Sequence, residues 1–346
     1  MRKIPFKICN ETIHPGERLS LALPLPELFS CAPMYMPIKV IRGKKPGPCL
    51  LVIAAMRGNE LNGAEIINRL WHFPSLRHIQ GTLIMVPVMN VYGMINRSRY
   101  LPGNINFDHS FPGSSLGSHA ERLAYIFGTE ILAKADGCIH LQTGLVNYTS
   151  LPQIYVNFND EKAKQLAKVF GAPVISDVPI EKGSLRALTA RNKIPLLVYE
   201  AGEAMRLDEH AVRVGMKGTL HVMNHLNMLS EQSQRLSKLS KHFFTKGNIW
   251  VHAANSGVYH SKIKLGQHVN EGQPLCVIKD PFGTSGKVTI TCPQEGIIVG
   301  KNNLPLLHEG EKLYQIAVFS ETKAVASHLQ SWEARSLDES EEFAQS

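Results

Sequence analysis

The 346-residue chain has no run of roughly 18 to 20 uncharged apolar residues, the length needed to cross a bilayer. Its opening stretch, MRKIPFKICNETIHPGER, lacks the uninterrupted apolar segment of a secretory leader. These two absences give the expectation of a cytoplasmic protein with no membrane partner. There is no CxxC pair. The six cysteines, Cys9, Cys31, Cys49, Cys138, Cys276 and Cys292, are scattered, several of them inside apolar runs, so buried free thiols are expected. The net charge of +8 comes without a basic run of five or six residues and without an aromatic RNA-binding signature, which argues against nucleic acid as a partner. A small anionic ligand suits such dispersed charge better. A Gly-x-Ser-x-Gly elbow is also missing, and no Cys–His pair can be placed, so no nucleophile for covalent catalysis presents itself.

What is present describes a globular protein. Apolar residues make up 44% of the chain, and its length exceeds the usual size of a single core, which predicts one large domain and one small one. The most informative stretch begins with Cys49 to Met56 (CLLVIAAM), eight residues without a charge. Such a run reads as a parallel strand covered on both faces. It ends in the turn RGNELNG, with Gly58, Asn62 and Gly63 as punctuation before a helical pattern from Ala64 to Phe73. Ligands in open α/β sheets lie beside the carboxyl ends of strands, which puts Arg57, Asn59 and Glu60 where a site would be.

The turn resembles the His-Gly-x-Glu-x-Asn-Gly motif of the succinylglutamate desuccinylase/aspartoacylase family, relatives of the zinc carboxypeptidases. In that family the His and Glu bind zinc. Gly58, Glu60, Asn62 and Gly63 match, and Arg57 stands at the His position. Three further segments carry the resemblance. In NRSRYLPGNINFDHSFPG, Arg99 keeps an upstream arginine, while Asp108 and His109 stand where the family has an Asn-Arg pair that grips the substrate carboxylate. In DGCIHLQTG, Gln142 stands at the third zinc-ligand position and His140 at its neighbouring Asp; two apart on a strand, they are expected to share one face. In PLLVYEAG, Glu200 keeps the general-base position. Gly183 to Arg186 matches a family turn, and with Arg99, Asp108 and His109 it places Arg186 among the candidate substrate-binding residues.

The resemblance implies a mixed, mainly parallel α/β fold of zinc-carboxypeptidase type, a zinc cofactor and an N-acyl amino acid-like substrate cleaved at its amide. The residues at the key positions speak against the zinc. A guanidinium has no lone pair to donate. Held about 4 Å from a dication, it would cost several kcal/mol even at an effective dielectric of ~20. Arg57 is therefore expected to take the place of the metal, pairing with Glu60 and with Glu200, so that the chain binds a ligand or partner without standard zinc hydrolysis. The alternative is an active metal-dependent deacylase with a shifted site built from His140, His109, Asp108 and Glu60, although none of these has a recognised ligand spacing.

Along the chain, residues 1–47 read as a lead-in with edge strands, 48–230 as the α/β domain, 231–245 as a polar, basic linker, 246–322 as a β domain and 323–346 as an acidic, mobile tail. The β domain holds an internal repeat: Val269-Asn-Glu-Gly-x-x-Leu275-x-x-Ile278 recurs as Leu307-His-Glu-Gly-x-x-Leu313-x-x-Ile316. Two copies imply two similar hairpins about a pseudo-twofold axis. This resembles the barrel-sandwich hybrid of lipoyl and biotinyl carriers. A carrier would show a Lys on a tight turn midway between the copies, and none is there, so a structural or homo-oligomerising module is expected.

Overall fold

The computed structural model describes residues 5–26, 33–229, 241–284 and 286–338. The linker expected at 231–245 lies mostly outside them, as does Cys31. The N-terminal strands are a small hairpin, β1 (Phe6–Ile8) and β2 (Glu11–Ile13), and then β3 (Arg18–Pro24) and β4 (Tyr35–Arg42). The body alternates strands and helices: β5 (Lys45–Ala54), α1 (Asn62–His72), β6 (Gln80–Val86), α2 (Val91–Ile95), α3 (His119–Glu130), β7 (Gly137–Gly144) and β8 (Tyr148–Val156). It continues with α4 (Glu161–Phe170), β9 (Val174–Asp177), α5 (Leu185–Arg191), β10 (Leu196–Glu203) and α6 (Glu209–His225). The rest is β11 (Phe243–Phe244), β12 (Gly247–His252), β13 (Gly257–Ser261), β14 (His268–Val269), β15 (Pro274–Lys279), β16 (Lys287–Thr291), β17 (Gly296–Asn302), β18 (Leu306–Leu307), β19 (Lys312–Val318) and α7 (Thr322–Asp338).

The centre of the main sheet is parallel, β10 on β7, β7 on β5 and β5 on β6. Leu50 to Ala54 of β5 are fully buried because helices cover both faces. β4 joins β6 antiparallel and β3 forms the outer edge. Helix starts follow their side chains: Ser118 makes a full capping box with Glu121, and Asp160, Ser184 and Asp208 each accept a hydrogen bond from a backbone N–H in the first turn.

The repeat pairs crosswise. β14 of the first copy lies on β17, the strand that carries β19 of the second copy, while β18 lies on β13, which carries β15. β16 flanks β15 just as β12 flanks β19. That exchange is a pseudo-twofold arrangement, and Gly272 and Gly310 take the same left-handed turn (φ 76° and 83°) in the two copies. One half, β16-β15-β13-β18, is a separate antiparallel sheet. The other half continues the main sheet, because β17 pairs with β8 through Gly300–Ser150, Lys301–Thr149 and Asn302–Tyr148.

The tail expected from residue 323 departs from the sequence reading. It is helical through Asp338, with Val325, Leu329 and Trp332 buried at a spacing of four and three residues. Val325 and Leu329 pack with Ile297, Val299 and Ala317, so an apolar stripe holds the start of this segment, while its acidic residues 339–346 lie outside the described residues.

Candidate functional site

The carboxyl ends of β5, β7 and β10 open into a cleft of ≈ 720 Å³. Its floor is set by backbone geometry. After β5, Ala55 turns with φ 48°, and Gly58 brings the turn against the Gly93–Met94 backbone so closely that a Cβ there would meet the Gly93 carbonyl carbon at 2.1 Å. This presents Arg57 and Glu60. β10 loses its regular register between Glu200 and Glu203, an irregularity of the kind that re-aims side chains beside sites. Glu200 lies directly across from Gln142 of β7 in the parallel ladder.

Arg57 is the electrostatic centre. Its Nε donates to Asp108 Oδ2 at 3.0 Å and its Nη1 to Glu60 Oε1 at 3.3 Å. Asp108, presented by a short helical turn that Asn106 caps, also accepts from Arg99 Nη2 at 3.2 Å. Burial alone would raise the Asp108 carboxyl, but Arg57 and Arg99 hold it below the ordinary range. Burial likewise opposes the charge on Arg57, and the carboxylates of Glu60, Asp108 and Glu200 overcome it, so the guanidinium stays charged. Glu60, 1% exposed, is pushed up to about 7, chiefly by burial, with Arg57 pulling the other way. Thr143 N–H donates to Glu60 Oε1, and Oε2 has no hydrogen-bond partner.

The expected pair between Arg57 and Glu200 is not made by contact; Asp108 takes that place. Glu200 Oε1 instead accepts from Ser150 Oγ at 2.8 Å and Tyr155 OH at 3.4 Å, and burial raises its pKa. His140 and Gln142 share one face as expected, with 3.2 Å between Gln142 Nε2 and His140 Nδ1. His140 is 2% exposed, and burial pushes it down to about 3. His109 is half exposed and stands 4.0 Å from Glu181. Arg186, in the first turn of α5, is partly buried, and its Nη2 has no hydrogen-bond partner. Nearby Asp177 and Glu181 favour its charge while burial lowers its pKa.

Every candidate residue except Asn59 and Glu60 lines the cleft; Asn59 is buried, and Glu60 sits beneath the cleft on Arg57. The four donors of the shifted metal site are not gathered around one point. Among the described residues no three His, Cys, Asp or Glu side chains stand close enough to hold an ion. Sequence reasoning missed Tyr155, which steadies Glu200, and the wall formed by Asn248, Trp250 and Gln315 of the β domain. Nothing in the alternation of β12 shows which face meets the cleft. A smaller cavity of ≈ 420 Å³ lies at the opposite ends of the same strands, walled by Pro48, Leu166 and Pro195 among others.

His140 gives a stability test. A buried imidazole held neutral contributes stability that is complete above pH 6.5 and is lost as pH falls toward about 3. The slope is about 1.4 kcal/mol per pH unit. Between pH 7 and pH 5, urea unfolding of the native chain should therefore lose about 2 kcal/mol that His140→Gln does not lose. Parallel pH curves for the two proteins would show that the imidazole is not held neutral.

No helix is long and apolar enough to cross a membrane among the described residues. The model of the succinylglutamate desuccinylase/aspartoacylase catalytic domain matches residues 46–226. The N-alpha-acetyl-L-2,4-diaminobutyric acid deacetylase of Halomonas elongata is 22% identical over 297 residues, covering 82% of this chain and 86% of that one. Among solved structures, the succinylglutamate desuccinylase/aspartoacylase from Rhodobacter sphaeroides superposes with TM-score 0.78 at 21% identity, over 87% of this chain and 95% of that one. The product-bound ectoine utilization protein EutE (DoeB) from Ruegeria pomeroyi gives 0.79 at 21% identity with the same coverage. With more than half its length matched by the family's catalytic-domain model, and a cleft at the strand ends where that resemblance puts the site, the chain belongs to the succinylglutamate desuccinylase/aspartoacylase family.

Proposed function

We propose that this chain binds an N-acyl amino acid-like ligand in the cleft and does not hydrolyse it through zinc. The observation that carries this reading is the guanidinium of Arg57, bound to Glu60 and Asp108 at the position of the family's first zinc ligand. The donors present do not fit zinc. Arg57 offers no lone pair, and Gln142 is a poor ligand whose amide is turned to His140. Glu60 is the one family ligand retained, and it is already engaged by a cation. Arg57 therefore balances charge where a Lewis acid would otherwise polarise the scissile carbonyl.

The ligand class follows from what the cations are free to do. Asp108 already partly neutralises both Arg57 and Arg99, which weakens their pull on a ligand carboxylate. Arg186 makes no ion pair within 4 Å of those found among the described residues, and it lines the cleft with a donor unspent. It is the residue we assign to the ligand's carboxylate. The Halomonas elongata relative, named for an N-acetylated amino acid, supports a ligand of that chemistry.

The test pairs metal content with calorimetry. The purified chain should carry no stoichiometric zinc, and N-acetyl amino acids should bind without being consumed. A charged hydrogen bond contributes about 1.5–3 kcal/mol, so Arg186→Gln should weaken that binding roughly 10- to 100-fold. Binding of the corresponding N-methylamides, which lack the carboxylate, should be unchanged. Zinc-dependent release of acetate by the native chain would overturn the proposal.

A further inference from the structure

A second cationic centre lies away from the cleft, at the outer edge of the sheet. The Arg18 guanidinium of β3 lies 3.7 Å from the centroid of the Trp71 ring, and the Lys39 ammonium of β4 stands 5.0 Å from the same ring. Arg77, on the short helix Pro74–His78 that follows α1, is close enough to disfavour the charge on Arg18. Arg18 in turn disfavours the charge on Lys39, and partial burial acts in the same direction on both.

Among the described residues, no carboxylate answers these charges. Arg57, Arg69, Arg99, Arg206 and Arg213 all contact an acid. The side chains of Arg18, Lys39 and Arg77 have neither a hydrogen bond nor an ion pair among the described residues. Three acids on the same or adjoining elements have other partners: Glu17 accepts from His14 N–H, and Glu65 and Glu209 are both held by Arg69. His72 and His78, next to Trp71 and Arg77 in sequence, are exposed. The face of the indole and the negative end of α1 draw cations in. Neither gives an acceptor to the guanidinium edge, which stacking leaves open with its N–H fork in the plane.

We propose that Arg18 and Lys39 over Trp71 form a binding site for an oxyanion of the phosphate or sulfate type. A tetrahedral oxyanion supplies the acceptors the fork lacks and offsets the repulsion between the two cations that share the ring. The site is separate from the cleft and does not depend on what the cleft binds.

Tryptophan fluorescence of the full chain reads it directly, because an anion that engages Arg18 changes the contact on Trp71. Inorganic phosphate, titrated against chloride at matched ionic strength, should give a saturable change. Arg18→Gln with Lys39→Gln should weaken it at least tenfold, Trp71→Phe should abolish the signal, and Arg186→Gln should leave it intact. Sedimentation with phosphatidylcholine vesicles, with and without phosphatidylglycerol, separates the sources. Binding to the anionic vesicles that the double substitution removes assigns the phosphate to a lipid head group, and a phosphate response without vesicle binding assigns it to a soluble one. A response that merely follows ionic strength, or that survives the double substitution unchanged, overturns the proposal.

Discussion

Arg57→Ala should destabilise the chain by about 3 kcal/mol at pH 8, the low end for breaking a buried ion pair, because Arg99 still answers Asp108. Glu60 would be left 1% exposed beside Asp108 with no guanidinium between them. The sign of the pH dependence follows from that pair. A buried acid whose pKa is raised keeps its proton in the folded state, so it costs stability as pH rises from its unfolded value, near 4.5, through about 7. Removing Arg57 takes away a charge that lowers the Glu60 pKa, so the rise continues further. The loss measured by urea unfolding should be smaller at pH 5, where Glu60 accepts a proton, than at pH 8. An Arg57→Ala protein as stable as the native chain at both pH values would mean that the guanidinium is not held between its carboxylates. Arg57→Lys should recover only part of the loss, since an ammonium cannot place two donors in the fork that reaches Asp108 and Glu60 together.

The second large effect is a gain. Arg57→His with Gln142→His should restore one zinc per chain where the proposed function expects none in the native protein. The structure adds a third change, because Asp108 loses Arg57 as a partner, and Asp108→Asn removes the carboxylate that the new histidine would otherwise face. The backbone that would hold these side chains is intact: the Gly58 turn packed on Gly93, Thr143 N–H on Glu60, and Gln142 in register with Glu200. Elemental analysis after dialysis measures the outcome directly. If the triple variant folds and stays free of zinc, the architecture has drifted beyond two ligand positions. One zinc already present in the native chain would remove the basis of the proposed function.

Much of the scaffold was legible because it rests on local rules. The uncharged run before Arg57 is a buried parallel strand, Ser118 caps the helix it precedes, and His140 and Gln142 share a face because alternate residues on a strand do. The repeat is two exchanged hairpins. What stayed hidden depends on distant contacts. Asp108 lies 51 residues from Arg57, and as an isolated residue it reads as repelling a ligand carboxylate; only the fold shows it bound by two arginines. Sequence reasoning paired Arg57 with Glu60 and Glu200, and the side-chain contacts are to Glu60 and Asp108. The β domain was visible as a module, but its share in the cleft wall was not, since Asn248 and Trp250 carry no local mark of the surface they meet. The helix of the tail did leave a signal, Val325, Leu329 and Trp332, which the acidic residues after it obscured.

The pairing of Ser150 with Gly300 and of its two neighbours has a mechanical meaning. One hydrogen-bonded ribbon runs from the lobe that holds Arg57 into the lobe that holds Trp250, so these cannot swing apart like jaws without tearing a ladder. Guest molecules must enter and leave past the side chains at the rim, and both lobes should melt in a single cooperative step.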